Sequence, residues 1–179
     1  MTWLRNTYLY FYCLPIWQAV VWVLGATGGF WVLRRLLGER KFWRPGVATA
    51  VCCWLAAIVF CTLVRKSGTG DGAVLWLPFQ SYFALIGGGN PELLRMNFMN
   101  TVLFYPLGLL GSELLPEAWP LKKRLAVMAC VALAFSAGIE LIQFLARYGY
   151  GEVDDILHNT AGMCLGVAAG GRGKKNSPN

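Results

Sequence analysis

Apolar residues along this chain fall into five long blocks, at about Cys13–Leu33, Val47–Val64, Asn97–Leu115, Leu125–Ala146 and Ile156–Gly171. Each block approaches the roughly 20 residues that a helix needs to cross the ~30 Å hydrocarbon core of a bilayer. The pattern predicts an all-α integral membrane bundle of five transmembrane helices. The fifth block is short, roughly 24 Å at ~1.5 Å per residue, so it starts below the outer surface or lies where the bilayer thins. Pro106 sits inside the third block and should kink it, leaving a carbonyl that needs a partner from a neighbouring helix. One long connection, Arg65–Met96, separates the second and third blocks. Within it Val74–Ile86, flanked by glycines, is too short and too rich in proline and aromatics for a span. It reads as an interfacial or re-entrant segment, either a passive anchor or a lid over the bundle.

Composition supports the membrane reading. The 179 residues are 56% hydrophobic and 14% charged, against about a quarter charged in soluble domains, and the mean hydropathy is +0.49. The net charge of +7 does not suggest nucleic acid, because the basic residues sit at the ends of apolar blocks rather than on one surface. By alternate sides, Arg34, Arg35, Arg40, Lys41, Arg44, Lys122, Lys123, Arg124, Arg172, Lys174 and Lys175 fall together. Arg5, Arg65, Lys66, Arg95 and Arg147 fall opposite. The richer side is the cytoplasmic one, which puts the N-terminus outside and the C-terminus inside. Residues Thr2–Tyr12 are rich in Tyr and Trp, as at a lipid–water interface. With only Arg5 ahead of the first block, that block reads as a retained span rather than a signal peptide. The six cysteines show no C-x-x-C pair and read as small buried apolar residues without disulfides.

The polar residues inside the blocks carry the candidate chemistry. Ser136, Glu140, Gln143 and Arg147 recur at offsets of four, three and four, one stripe of one helix. Asp155, Asn159 and Gly162 repeat the pattern on the last helix, and Asn97 and Asn100 open the third. Under the predicted topology all of these meet near the outer face, with Glu140 roughly 10 Å below it. An ionisable group at such depth marks a functional site or a buried polar contact. Glu140 reads as a general base, a metal ligand or a buried partner of Arg147 or of a neighbouring helix. Gln143 reads as an interhelical hydrogen bonder. Asp154 and Asp155 stand where carboxylates cap a helix, one capping and the other free; with Glu140, Glu152 and Asn100 the free one offers oxygen ligands to a hard cation, though no spacing demands a metal. Asn97, Asn100 and Asn159 serve as caps or as ligand contacts. Arg147 offers a guanidinium fork to phosphate or pairs with Glu140 or Asp154. His158, the one histidine, reads as an interfacial polar residue. Gly162, Gly166 and Gly170 have the small-xxx-small spacing of close helix packing. Nucleotide, hydrolase and zinc-protease motifs are absent, and five spans without inverted halves do not suggest a repeat-built transporter.

Several stretches together resemble the VanZ-like proteins of bacteria. These are Trp76-Leu77-Pro78-Phe79, the run from Asn97 to Gly108, Ser136–Gln143, and Arg147 with Asp154–Gly162. The resemblance covers roughly residues 47–170. It divides the chain into an N-terminal segment with the first span and basic loop (1–46), a VanZ-like domain (47–171) and a basic tail (172–179). It implies a small multi-pass protein of the bacterial cytoplasmic membrane, in a family whose namesake is linked to glycopeptide resistance, notably to teicoplanin. No catalytic mechanism or cofactor comes with that link.

The expected function is a non-enzymatic, outward-facing polar pocket that binds an envelope lipid head group, a lipid-linked wall precursor or the antibiotic. Asn97, Asn100, Glu140, Gln143, Arg147, Asp154, Asp155 and Asn159 would line it, without metal or cofactor. Two alternatives stand beside this. One is an integral-membrane enzyme acting on a lipid-linked envelope substrate, with Glu140 and Asp155 as acid and base. The other is an accessory subunit whose glycine face binds another membrane protein.

Overall fold

The computed structural model describes residues 15–64, 74–75, 77–88, 92–147 and 151–170. Among the described residues six α-helices follow one another: α1 (Ile16–Leu37), α2 (Trp43–Val59), α3 (Gln80–Ile86), α4 (Glu92–Leu114), α5 (Leu121–Ala146) and α6 (Val153–Gly170). A π-helical turn, Phe60–Val64, continues α2. Two residue pairs depart from the helical pattern among the described residues, a parallel pairing of β1 (Val74–Leu75) with β2 (Gly151–Glu152). The aromatic N-terminal segment, the glycine-rich stretch 65–73 and the basic tail lie outside the described residues.

Helices α2, α4, α5 and α6 begin three to five residues earlier than their apolar blocks. Helix α5 starts directly after Pro120 and carries Lys122, Lys123 and Arg124 in its first turn. Helix α2 starts at Trp43, with Pro45 in the first turn, where a missing N–H costs nothing. Backbone caps rather than hydropathy set these ends. Among the described residues, α1 and α5 are the helices that combine the length and apolarity of a membrane span; α2 is a shorter apolar helix. Large apolar side chains point out of the bundle along α1 and α5, among them Trp17, Trp22, Leu24, Leu141 and Leu145. Cys52, Cys53 and Cys130 are exposed on the bundle too, which corrects the expectation that they are buried; they are free thiols, as is the half-buried Cys164. A small thiol makes only weak hydrogen bonds and little apolar contact, so neither polarity nor packing forces it inward.

Helix α4 is the hub. It packs most extensively on α6, and also against α1, α2 and α3. Glycine makes the α4–α6 approach possible. A Cβ at Gly162 would run into the Thr101 backbone, one at Gly166 into Tyr105 and Leu109, and one at Gly170 into Ser112 and Leu109. From the other side, a Cβ at Gly108 would run into Met163 and Val167. The main core gathers around this contact: Ile58 of α2, Leu103, Phe104 and Leu107 of α4, Met128, Ala132 and Ile139 of α5, and Met163 and Val167 of α6.

Polar contacts tie the apolar helices together. Pro106 has no N–H for the carbonyl of Val102, and the Trp54 indole N–H donates to the adjacent Leu103 carbonyl at 2.9 Å. The Thr27 hydroxyl donates to the Val23 carbonyl at 2.7 Å, so the Tyr105 hydroxyl, 2.6 Å away, is the donor in their contact. At the end of α4, Glu113 is buried. It takes an ion pair from Arg34 at 3.2 Å and a hydrogen bond from the Trp43 indole at 3.0 Å. Arg34 and Arg124, both counted above as loop charges, are likewise buried, and Arg124 donates to the Ser112 carbonyl.

The glycine contact predicts opposite outcomes for two substitutions. Gly162→Val should destabilise the detergent-solubilised protein by about 3 kcal/mol, through overpacking against backbone that cannot yield. Gly138→Ala, where an added Cβ meets nothing within 4 Å, should be neutral or stabilising by up to ~1 kcal/mol. Thermal unfolding followed by circular dichroism compares the two.

Candidate functional site

The polar residues gather at one end of the bundle, where α4 and α6 begin and where α5 and the π-helical turn end. Two layers can be distinguished.

The upper layer fastens α3 onto this end. A seven-residue helix has too few hydrogen bonds to stand alone, and its own N-cap position, Phe79, supplies no side-chain acceptor. Asp154, in the first turn of α6, provides one from across the bundle. Its Oδ1 accepts from the Phe79 N–H at 2.5 Å, and its Oδ2 accepts from the Ser81 N–H at 3.1 Å and the Ser81 hydroxyl at 2.5 Å. Phe79 adopts the left-handed conformation (φ 63°), which turns these groups toward one carboxylate. Asp154 therefore caps a helix, as expected of one of the two aspartates, but the helix is α3 and not its own. Asn97 Nδ2 donates to Ser81 Oγ at 2.7 Å, so α4 joins the same knot.

His158 extends it. Its Nδ1 lies 2.6 Å from the Asp154 carbonyl, which can only accept, so Nδ1 carries the proton. Nε2 is then free to accept from the Tyr82 hydroxyl at 2.8 Å, with the two rings stacked 5.8 Å apart. Together with the β1–β2 pairing, these contacts hold residues 74–75 and 77–86 against the bundle.

The lower layer joins the helices to one another. Asn100 Nδ2 donates to Asp155 Oδ1 at 2.6 Å, linking α4 to α6. Asn159 Nδ2 donates to Ser136 Oγ at 2.8 Å, linking α6 to α5. Asn159 Oδ1 is buried without a hydrogen-bond partner among the described residues. Glu140 Oε2 accepts from the Glu152 N–H at 3.0 Å, the backbone entering α6, and makes no described contact with Arg147. Gln143 Nε2 donates to the Thr62 carbonyl at 3.0 Å, inside the π-helical turn, where widened winding frees carbonyls for outside donors.

Six of the eight expected residues, Asn97, Asn100, Glu140, Gln143, Asp154 and Asn159, are buried here and Asp155 is half-buried. Arg147 is the exception. Helix α5 ends at Ala146, and Arg147 follows in the left-handed conformation (φ 55°), exposed, with no side-chain hydrogen bond or ion pair to any described residue. It thus leaves the stripe that its spacing places it on. Among the described residues no three His, Cys, Asp or Glu side chains lie together as a metal site. Ser81, Tyr82 and Thr62 were missed as site residues. The first two follow Pro78-Phe79, a turn signal ahead of a short helix, whereas nothing in the local sequence marks the π-helical turn.

A helical bundle of membrane type, closed at one end by a knot of buried polar residues, is the class that this fold and site define. The chain belongs to the VanZ/LLP1 family, whose sequence model matches residues 47–170. No curated protein and no solved structure matches it.

Removing the cap tests the upper layer. Asp154→Ala leaves two N–H groups and a hydroxyl without their acceptor and should cost about 1–3 kcal/mol. The loss should be concentrated in residues 79–86, read as faster amide hydrogen exchange there with protection in α4 and α5 unchanged.

Proposed function

We propose that this chain is a five-span protein of the bacterial cytoplasmic membrane, N-terminus outside and C-terminus inside, whose polar end faces outward and binds an anionic envelope ligand. The ligand is a lipid head group, such as that of a lipid-linked wall precursor, or a glycopeptide of the teicoplanin type, and binding contributes to resistance. Asn97, Asn100, Glu140, Gln143, Asp154, Asp155 and Asn159 form the framework, and Arg147 makes the ligand contact. Family membership supports the resistance reading. The positive-inside bias supports the orientation, since Arg35, Arg40, Lys41, Lys122 and Lys123 lie at the opposite end from Arg147.

The observation that carries the reading is Arg147 itself. Glu140 and Gln143 on the same helix are engaged with backbone groups, while the Arg147 guanidinium stands exposed at the rim without a partner among the described residues. A planar fork in that position matches the oxygens of phosphate or carboxylate.

The left-handed backbone at Arg147 makes a clean test available. Glycine adopts φ 55° without the Cβ penalty, so Arg147→Gly should preserve or raise stability by about 1 kcal/mol while deleting the cation. Wild type, Arg147→Gly and Glu140→Gln are expressed to equal levels in a sensitive Gram-positive host and challenged with teicoplanin. The expected result is protection by the wild type and its loss in Arg147→Gly. Full protection by Arg147→Gly would remove the guanidinium from the site, and no protection by the wild type would sink the resistance reading. Retained folding with lost protection in Glu140→Gln would extend the site below the rim.

A further inference from the structure

At the opposite end of the bundle from the polar knot, α1, α2 and α4 leave an apolar groove of about 620 Å³ between them. Gly29 and Leu33 of α1, Gly46 and Ala50 of α2, and Leu110 of α4 line it, and Arg40 of the α1–α2 turn is the one charged residue on it. The volume lies within the ~300–1,000 Å³ usual for ligand sites. The helices leave room where their facing residues are glycine or alanine: a Cβ at Gly29 or at Gly46 would meet nothing within 4 Å. These glycines therefore differ from those of the α4–α6 contact, where the same addition is blocked by backbone. An apolar recess between helices is filled by something, since an unfilled one forfeits dispersion contacts along its whole lining.

The charge at its mouth says what fills it. Arg35, Arg40, Lys41 and Arg44 crowd residues 35–44, with Glu39 the only acid there. Arg44 is committed to the Leu114 carbonyl at 3.0 Å, and Lys41 lies over the Phe42 ring, 5.2 Å from its centroid. Arg40 is exposed and makes no side-chain hydrogen bond or ion pair with any described residue.

We infer that this groove is a binding site for an anionic glycerophospholipid of the membrane itself, one acyl chain lying between α1, α2 and α4 and the phosphate meeting Arg40. The inference rests on the membrane-spanning reading above but concerns a different ligand at the other end of the bundle. A cation near the head-group region favours an anionic over a zwitterionic lipid by roughly fivefold.

The test uses the full chain purified in mild detergent and incubated with equal amounts of phosphatidylglycerol and phosphatidylcholine bearing the same acyl chains. Native mass spectrometry then counts the lipids retained. The wild type should keep phosphatidylglycerol over phosphatidylcholine about fivefold. Arg40→Gln should bring the ratio to near one without emptying the groove. Gly29→Leu, which fills the groove and improves helix propensity, should lose both lipids, and Ala50→Leu should do the same from the opposite wall. Equal retention of the two lipids by the wild type overturns the inference. So does undiminished retention by a folded filling variant; should one of the two fail to fold, the other decides. Recovery of the protein from the aqueous phase without detergent would instead overturn the membrane reading, a separate and distinguishable failure.

Discussion

The backbone-to-backbone contact of α4 with α6 is the constraint on which the rest of the molecule depends. Gly162, Gly166 and Gly170 on one side and Gly108 on the other remove every Cβ that would hold the two helices apart. Short polar side chains can then bridge the gap. Asn100 reaches Asp155, and Asn97 reaches the Ser81–Asp154 knot, because the helices carrying them start side by side at that end. A larger separation would strand these amides and carboxylates without partners, at the cost that any buried polar group carries when its hydrogen bond is lost.

Around that contact the polar residues work as joints. Each of Glu140, Gln143, Asp154, Asp155 and Asn159 bonds to a different element from its own, and four of the contacts are to backbone: Glu152, Thr62, Phe79 and Ser81. In an apolar surrounding a backbone group freed by a turn or a π-helical winding must find a side chain, because water is not there to replace it. The two ends of the bundle use this differently. At one end carboxylates hold N–H groups of short, irregular chain. At the other, Glu113 holds Arg34 and the Trp43 indole, and so fixes α1 and α2 against the last turn of α4.

The joints also explain why the charges that remain uncommitted stand out. Arg147 and Arg40 sit at opposite ends, both exposed and both without side-chain partners among the described residues. The first terminates α5 in a backbone conformation that glycine would adopt more cheaply, so its retention there is not a matter of chain geometry. The second stands at the mouth of a groove whose walls would accept larger side chains without a clash.

Much of this was legible in the chain itself. Apolar blocks of near-bilayer length foretold the helices. The i, i+4, i+7 spacing foretold that Ser136, Glu140 and Gln143 share a buried face, and the four-residue glycine repeat foretold a close helix contact. These are properties of one helix seen along its own axis, which periodicity encodes directly. Helix starts were misjudged by up to five residues, at Asn97 against Glu92, because proline and capping, not hydropathy, decide where winding begins. What the sequence could not reveal was pairing. Asp154 caps a helix some seventy residues earlier in the chain, His158 meets Tyr82, Glu140 takes the Glu152 backbone N–H, and Arg34 leaves its apparent loop to form a buried pair with Glu113. Each partner is chosen by which helix faces lie together in space, and the local chain carries no record of that choice.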